Sequence, residues 1–499
     1  GIRDTSVTGV QTCALPISDI EISLRQNILQ KVFYDKEKSF NTNFYLSIYR
    51  KKPLIFPLPN AYIDFLCKRD IKICKLRCRL LWKLIIIIFY IGSIKDAGIF
   101  LFHNFKFFIS HIYSPKTDKN QIDAYFSGTI LDELPTELNK DLKFNIFTYV
   151  YEKQIKSKNN LVFAHDLNIN PRQLRSNISL VFQRYPFYYL TNIRSYTLLI
   201  IFFIKFILIS PIYFLNSNWW RLFIFSDLFF VKICQMQNQY NFSKSYFFEH
   251  ALINRPLWTF IAQEKGSQIF SYFYSGTTSS LVFDKSIPRS PTPMFKNLNW
   301  PNYLFWDKYQ SDFLEEFCFV PFKSYISGPL CKQIKSLDNK ILFSKRSIAV
   351  FDISPRRDSL WIKSAQPNKY YIPEHFLPFF EDIISICQKY KIQMIIKLKR
   401  NFKKSSDLHP FYRNLLSRLE SSKNVVFLHP STAPYYLINV TSCSIAMPFT
   451  STPIISNLMK KPACYYDPNS YVDRLDSEAR GSDIVIGIQE LENWILRYI

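Results

Sequence analysis

Glycine is scarce: ten in 499 residues, none adjacent to another. The chain therefore has no G-x-G-x-x-G turn and no G-x-x-x-x-G-K-[ST] loop, and any phosphate it binds must be met by other groups. Acid is short as well, with 39 Asp and Glu against 63 Lys and Arg and a formal charge of +24. The cysteines form no C-x-x-C pair, and Cys67, Cys74 and Cys78 match no common zinc spacing. Leaving out Cys13, nine remain, an odd number that reads most simply as a reduced, cytosolic environment. What is plentiful is apolar surface: 48% of residues are hydrophobic and 17% aromatic. That excludes disorder as a description of the whole chain. At roughly 150 residues per domain, the length allows two or three cores.

Two features are discounted first. Residues 1–18, with Val7-Thr-Gly-Val-Gln-Thr-Cys-Ala-Leu-Pro-Ile17 at their heart, read as a translated sequencing adapter and are set aside. The remainder is rich in Lys, Ile, Asn, Phe and Tyr, residues with AT-rich codons, so net charge alone is a weak pointer to nucleic acid. The expected organisation is a helical, basic region over 19–120 and two α/β domains, over 121–335 and over 336–499.

Seven basic residues stand between Lys68 and Lys83 against the single acid Asp70, and an apolar run from Leu84 to Ile91 follows. That run is far below the ~20 residues of a bilayer-crossing helix. It reads as a basic segment leading into a buried or interfacial helix, of a charge that suits an anionic leaflet. A second stretch, Thr197 to Leu215, is long enough to span but carries Lys205 near its middle, and a charge at mid-bilayer costs about 2.5–3.5 kcal/mol on insertion scales. A monotopic helix and a core helix both fit better than a span.

Between Asp123 and Gly328, short aromatic and β-branched runs predict strands at Phe144–Val150, Asn160–Ala164 and Gln268–Tyr274. The last third is clearer. Strands are expected at 347–352, 392–397, 424–428, 443–447 and 463–466, alternating with helices at 373–390, about 410–419, from 433, and at 453–459. Such alternation means a doubly wound parallel sheet with ligands at the carboxyl ends of its strands.

At those ends lie Arg356 and Arg357, then Lys397, Lys399 and Arg400, then Thr450, Ser451 and Thr452. Taken singly, the hydroxyl residues are an N-cap before Pro453 and the cations a solvated rim. Taken together, like charges delivered by separate loops to one sheet edge repel unless an anion is present. Arginine pairs with phosphate in bidentate fashion, and a helix start adds N–H groups. The pattern predicts a diphosphate or phosphodiester site made without glycine.

Ala349-Val-Phe-Asp-Ile-Ser-Pro-Arg356, Lys397-Leu-Lys-Arg400, Met447-Pro-Phe-Thr-Ser-Thr-Pro453 and Lys461-Pro-Ala-Cys-Tyr-Tyr-Asp-Pro468 resemble bacterial surface-polysaccharide biosynthesis proteins of the GT-B glycosyltransferase type. Asn254-Arg-Pro-Leu-Trp258, Tyr272-Phe-Tyr-Ser275, Trp306-Asp-Lys-Tyr309 and Gly328-Pro329 fit the same resemblance, which covers about His250 to Ile499. It implies two Rossmann-like domains facing a cleft, with a nucleotide sugar held by the C-terminal one, an acceptor by the N-terminal one, and no bound metal or other cofactor. Cations and a helix terminus would stabilise the leaving phosphates. The E-x-x-x-x-x-x-E signature common in such enzymes is lacking before the phosphate helix, which leaves the donor and the stereochemical course open.

A general base should project from the opposite domain. His250 and Asp307 are the leading candidates, with His165 and Asp166 behind them. His429, Tyr466 and Asp467 are candidates for contacts to the donor sugar or nucleotide. His409 precedes Pro410 as helix-entry punctuation. The expected activity is transfer of a sugar from a nucleotide donor to a lipid-linked or growing surface polysaccharide. The enzyme would be cytoplasmic and peripheral to the inner leaflet of the inner membrane, with no nucleic-acid partner. The rival readings are a sugar-nucleotide epimerase of similar fold and a catalytically silent assembly subunit.

Overall fold

The computed structural model describes residues 75–113, 121–129, 145–154, 161–166, 178–215, 220–223, 225–249, 255–276, 298–318, 321–330, 344–353, 355, 373–399, 408–430 and 432–499. His250, Arg356, Arg357, Arg400 and the basic segment before Lys75 lie outside them.

The first described element is a long helix, α1 (Lys75–Tyr113). Strand β1 (Ala124–Ser127), helix α2 (Ile146–Gln154), and strands β2 (Leu161–His165) and β3 (Ile178–Phe182) follow. Three helices come next, α3 (Ile193–Leu215), α4 (Trp220–Phe223) and α5 (Phe225–Gln235). Then β4 (Ser245–Glu249), α6 (Trp258–Glu264), β5 (Gln268–Tyr272), β6 (Asn302–Phe305), α7 (Lys308–Phe317) and β7 (Lys323–Ile326) complete one seven-stranded sheet in the order β3-β2-β1-β4-β5-β6-β7. Every pairing in it is parallel.

A second sheet is built from β8 (Ser347–Phe351), α8 (Pro373–Lys389), β9 (Gln393–Lys397), α9 (Pro410–Glu420), β10 (Val425–Leu428), α10 (Pro434–Val440), β11 (Cys443–Ala446), α11 (Thr452–Leu458), β12 (Ala463–Asp467), β13 (Asp483–Ile486) and α12 (Ile488–Tyr498). Its order is β10-β9-β8-β11-β12-β13, again all parallel. Both sheets thus wind outward in two directions from a central pair, β1 and β4 in one and β8 and β11 in the other. The order in which strands are added reverses there, and a crevice opens beyond the strand ends.

The strands read as continuous apolar runs because both faces are covered. In β8, Ile348 and Val350 pack with Phe376, Phe380 and Ile383 of α8, whereas Ala349 and Phe351 belong to a cluster shared with Ile454, Trp306 and the aromatic core of the first half. One apolar cluster therefore runs from the first domain into one face of the second sheet. The two-Rossmann architecture expected from the resemblance is present. Ile86, Ala97 and Phe100 of α1 join that same cluster.

Three expectations need correction. Of the strand expected at 144–150, the described residues are a helical entry: Asn145 Oδ1 accepts from the Phe147 amide at 2.7 Å and caps α2, which outweighs the β-branched and aromatic content. The short run at 84–91 is part of a 39-residue helix, whose stretch Ile86–Ser110 is long and apolar enough by composition to cross a membrane. Gly92, Ser93, Lys95 and Asp96 interrupt the hydropathy without breaking the helix. The core-helix reading of the second stretch also fails, since only Tyr196, Leu199 and Phe206 of Ile193–Leu215 are buried.

Candidate functional site

Strand β8 is followed at once by Asp352, which is 6% exposed. It accepts hydrogen bonds from the Lys399 backbone amide and the Tyr412 hydroxyl. Burial raises its pKa above the ordinary aspartate value, opposed by those two hydrogen bonds and by the charges of Lys397 and Lys399. At the end of β9, Lys397 is also buried, and its Nζ donates to the Pro430 carbonyl at 3.2 Å, beyond β10. Lys399 is exposed at the same edge. Of the five expected phosphate-binding cations, the described pair thus meets at one strand-end cluster around Asp352, one buried and one facing solvent.

Beyond β11 the chain runs through Met447-Pro-Phe-Thr-Ser451 into α11, which is fastened to its strand by Ser444 and Ser456 hydroxyls 2.9 Å apart. The expected N-cap is not made. Ser451 has a helical backbone and no side-chain capping bond. Its Oγ lies 2.8 Å from Ser275 Oγ and accepts from the Gly276 amide at 3.0 Å, both beyond β5 of the other sheet. Thr450 and Thr452 hydroxyls stand 3.4 Å apart beside it, and the Thr450 carbonyl accepts from Tyr465 Oη at 2.7 Å.

A second bridge lies alongside. Arg480 occupies the left-handed region at φ 50 after a short 3-10 turn, and its side chain is 6% exposed. Nη1 donates to Asp307 Oδ2 at 2.8 Å, while Nη2 donates to the Gly276 carbonyl and, at 3.2 Å, to the buried Glu478. The guanidinium also lies 4.8 Å from the centre of the Tyr309 ring. Gly276 is consequently held from both sides, by its amide to Ser451 and by its carbonyl to Arg480. A Cβ there would fall 2.8 Å from Ile454 Cδ1 and 3.0 Å from Trp306 Cε3, so any side chain at this position requires Ile454 to move. Gln310 steadies the same loop, donating to the Ser275 carbonyl at 2.9 Å and accepting from the Trp306 amide at 2.9 Å. The carboxyl edges of the two parallel sheets therefore face and touch each other across β5, β6 and β11.

On the first sheet, the crevice between β1 and β4 carries Ser127, Gly128, His165, Asp166 and Glu249 at its strand ends. Asp166 Oδ2 accepts from Ser127 Oγ at 3.2 Å and from the Gly128 amide at 3.1 Å. His165 is fully buried, and desolvation holds its pKa below the ordinary histidine value, with the Asp166 charge acting in the opposite direction. A neutral imidazole beside a sheet edge has the chemistry of a proton acceptor.

Several expected site residues are committed elsewhere. Asp307 caps α7, accepting from the Gln310 amide at 2.9 Å, and its other oxygen serves Arg480, so it is placed as an inter-domain anchor. Asp467 is buried, and its two oxygens accept from the Asn469 and Val472 amides at 3.1 and 2.7 Å, which shapes the loop beyond β12. Tyr466 donates to Asp382 of α8, tying helix to sheet. His429 is exposed at the end of β10. His409 caps α9, its Nδ1 accepting from the Phe411 amide at 3.3 Å. Sequence reasoning missed Gly276 and Arg480. The first is one of ten glycines without a motif around it, and the second is an isolated arginine whose partners are 173 and 204 residues away. Among the described residues, no group of three or more His, Cys, Asp and Glu is arranged to hold a metal ion.

Residues 201–495 match the family model described as polysaccharide biosynthesis PFTS motif protein, and Pro448-Phe-Thr-Ser451 lies within that segment. No curated protein matches. Among solved structures, the chain is similar to a trehalose-6-phosphate synthase at 8% identity and TM-score 0.39, covering 75% of this chain and 90% of that one. It is similar to the wall teichoic acid polymerase TagF at 11% identity and TM-score 0.39, covering 80% and 90%. It is also similar to a UDP-GlcNAc 2-epimerase from Methanocaldococcus jannaschii at 9% identity and TM-score 0.37, covering 75% and 90%.

Proposed function

The chain belongs to the polysaccharide biosynthesis PFTS motif family, and from that premise we propose that it is a glycosyltransferase moving a sugar from a nucleotide-activated donor to a lipid-linked or growing surface polysaccharide. The observation that carries the reading is the meeting of two carboxyl sheet edges at the Pro-Phe-Thr-Ser loop, where Ser451 reaches Ser275 and Gly276. Ligands of doubly wound sheets lie outside those edges, so a crevice lined by both can hold donor on one side and acceptor on the other.

In this reading Lys397 and Lys399, with Arg356, Arg357 and Arg400 from the adjoining loops, neutralise the donor phosphates. Thr450, Ser451 and Thr452 offer hydroxyls and the first N–H groups of α11. The acceptor oxygen forms its bond to the anomeric carbon as the bond from that carbon to the phosphate oxygen breaks. The nucleotide leaves with its charge met by the fixed cations, without a metal. The acceptor proton passes to a base on the first domain, His165 or His250. The enzyme works on the cytoplasmic side of the inner membrane, with Lys205 and the basic segment 68–83 turned toward anionic headgroups.

The test is calorimetric titration of a range of nucleotide sugars into wild type, Lys397→Ala and Thr450→Ala, followed by product analysis with and without a lipid-linked glycan. At least tenfold weaker donor binding in both variants is expected, together with product only when acceptor is present. Equal affinity in all three proteins would remove the phosphate roles. Conversion of donor alone would make the protein an epimerase.

A further inference from the structure

Helices α1 and α3 lie side by side and antiparallel. Tyr196 near the start of α3 donates to the Leu101 carbonyl at 3.2 Å and stacks beside Phe105, while Phe206 further on meets Tyr90 and Phe214 lies under Lys83. One face of the pair is packed onto the first domain: Ile86, Ala97 and Phe100 of α1 and Leu199 and Phe206 of α3 share a cluster with Phe225 and Phe229 of α5. Asn104 adds a buried pair of hydrogen bonds to the Leu190 backbone, at 2.8 and 3.3 Å.

The opposite face is apolar and exposed. Leu84, Ile88, Ile91 and Phe102 recur at helical spacing along α1, with Lys95 in the same row. On α3, Ile201, Leu208 and Ile212 are 54%, 73% and 59% exposed. Monomeric proteins rarely leave so long an apolar strip in water. The two helices together carry eight Lys and Arg against one acid, Asp96.

We propose that this paired face is a membrane-docking surface that lies in the plane of an anionic bilayer, a deepening that rests on the reading of a membrane-peripheral enzyme. Charge selects the occupant, because an apolar strip with cations on and beside it complements acyl chains under negative headgroups. Geometry selects the orientation. The contacts of α1 with the domain run from Ile86 to Asn104, about 27 Å of helix at 1.5 Å per residue, close to the whole hydrocarbon thickness. A crossing orientation would draw the attached sheet and its polar loops into lipid. An in-plane one buries the strip alone and lets Lys95 and Lys205 extend to the headgroups.

The experiment is flotation of the purified full chain with vesicles of phosphatidylglycerol and phosphatidylethanolamine, or of phosphatidylcholine alone. Binding about tenfold or more stronger to the anionic vesicles is expected, with part of it surviving high salt. Ile201→Asp/Leu208→Asp/Ile212→Asp should weaken it at least about tenfold, with circular dichroism and nucleotide-sugar affinity unchanged. Lys95→Ser/Lys205→Ser keeps the apolar strip and should narrow the preference for anionic lipid, and an unchanged preference would overturn the role of these two lysines. Flotation of the triple variant equal to wild type would overturn the proposal. So would a lipid-free dimer dispersed by the triple substitution without vesicle binding, which would give the face to a second copy. With Ile193→Cys or Leu215→Cys, an impermeant maleimide added outside the vesicle should label both ends above the level that the native cysteines give in wild type, and protection of one end would mean a span. Vesicle binding without nucleotide-sugar binding sinks the transferase reading alone, and the converse sinks the docking surface alone.

Discussion

Replacing Arg480 with methionine tests the link between the two sheets. The guanidinium has one buried acidic partner, Glu478, whose side chain is 2% exposed, and one partly exposed partner, Asp307, at 32%. Breaking a buried pair by removing one member costs about 3–5 kcal/mol, because the remaining charge is left uncompensated. The Asp307 contact is screened by solvent and adds at most about 1 kcal/mol. Arg480→Met should therefore lower the unfolding free energy by about 3–5 kcal/mol, whereas Asp307→Asn, which keeps a good capping side chain on α7, should cost about 1 kcal/mol or less. Adding Glu478→Gln to Arg480→Met should recover about 2 kcal/mol, since the residual charge is then gone. Urea unfolding followed by tryptophan fluorescence reads all four proteins. An Arg480→Met variant within about 0.5 kcal/mol of wild type, or a double variant no more stable than the single, would refute the claim that a buried ion pair fixes the turn from which Arg480 reaches the first domain.

Ser451→Ala should cost about 1 kcal/mol in stability from the lost inter-domain hydrogen bonds and, if the hydroxyl also meets donor phosphate, weaken nucleotide-sugar binding in the same titration. Gly276→Ala should destabilise by about 1–3 kcal/mol through its approach to Ile454 and Trp306. A crystal structure of that variant should show Ile454 displaced. Because burial lowers the His165 pKa, its contribution to stability is present above the ordinary histidine value near 6.5 and is lost as the pH falls through the lower folded value. His165→Gln should flatten that acid limb, measured by urea midpoints from pH 7 to 4.5. Asp352 behaves in the opposite sense. Its raised pKa favours the fold below the ordinary aspartate value, and that contribution is lost as the pH rises through the folded value. Asp352→Asn should therefore gain on wild type as pH increases from about 4. A stability difference independent of pH would remove this account.

The C-terminal sheet was legible in the order of residues because its information is local. Apolar runs of strand length, prolines opening α8, α9 and α10, and polar loops between them each constrain only neighbours, and their alternation implies parallel pairing without knowledge of partners. The same local logic misread 144–150, where one asparagine cap outweighed β-favouring side chains, and stopped the apolar run at 91 too early, where a few polar residues sit on a helix that continues. Tertiary structure alone decided what the chemistry-bearing residues touch. Ser451 looked like a cap and bridges to the other sheet; Asp307 looked like a base and anchors Arg480; Asp467 looked like a ligand and builds a loop. These outcomes depend on groups far apart along the chain meeting at distances near 3 Å. A hydrogen bond of that reach is set by how two domains pack, and no spacing within a single segment encodes it.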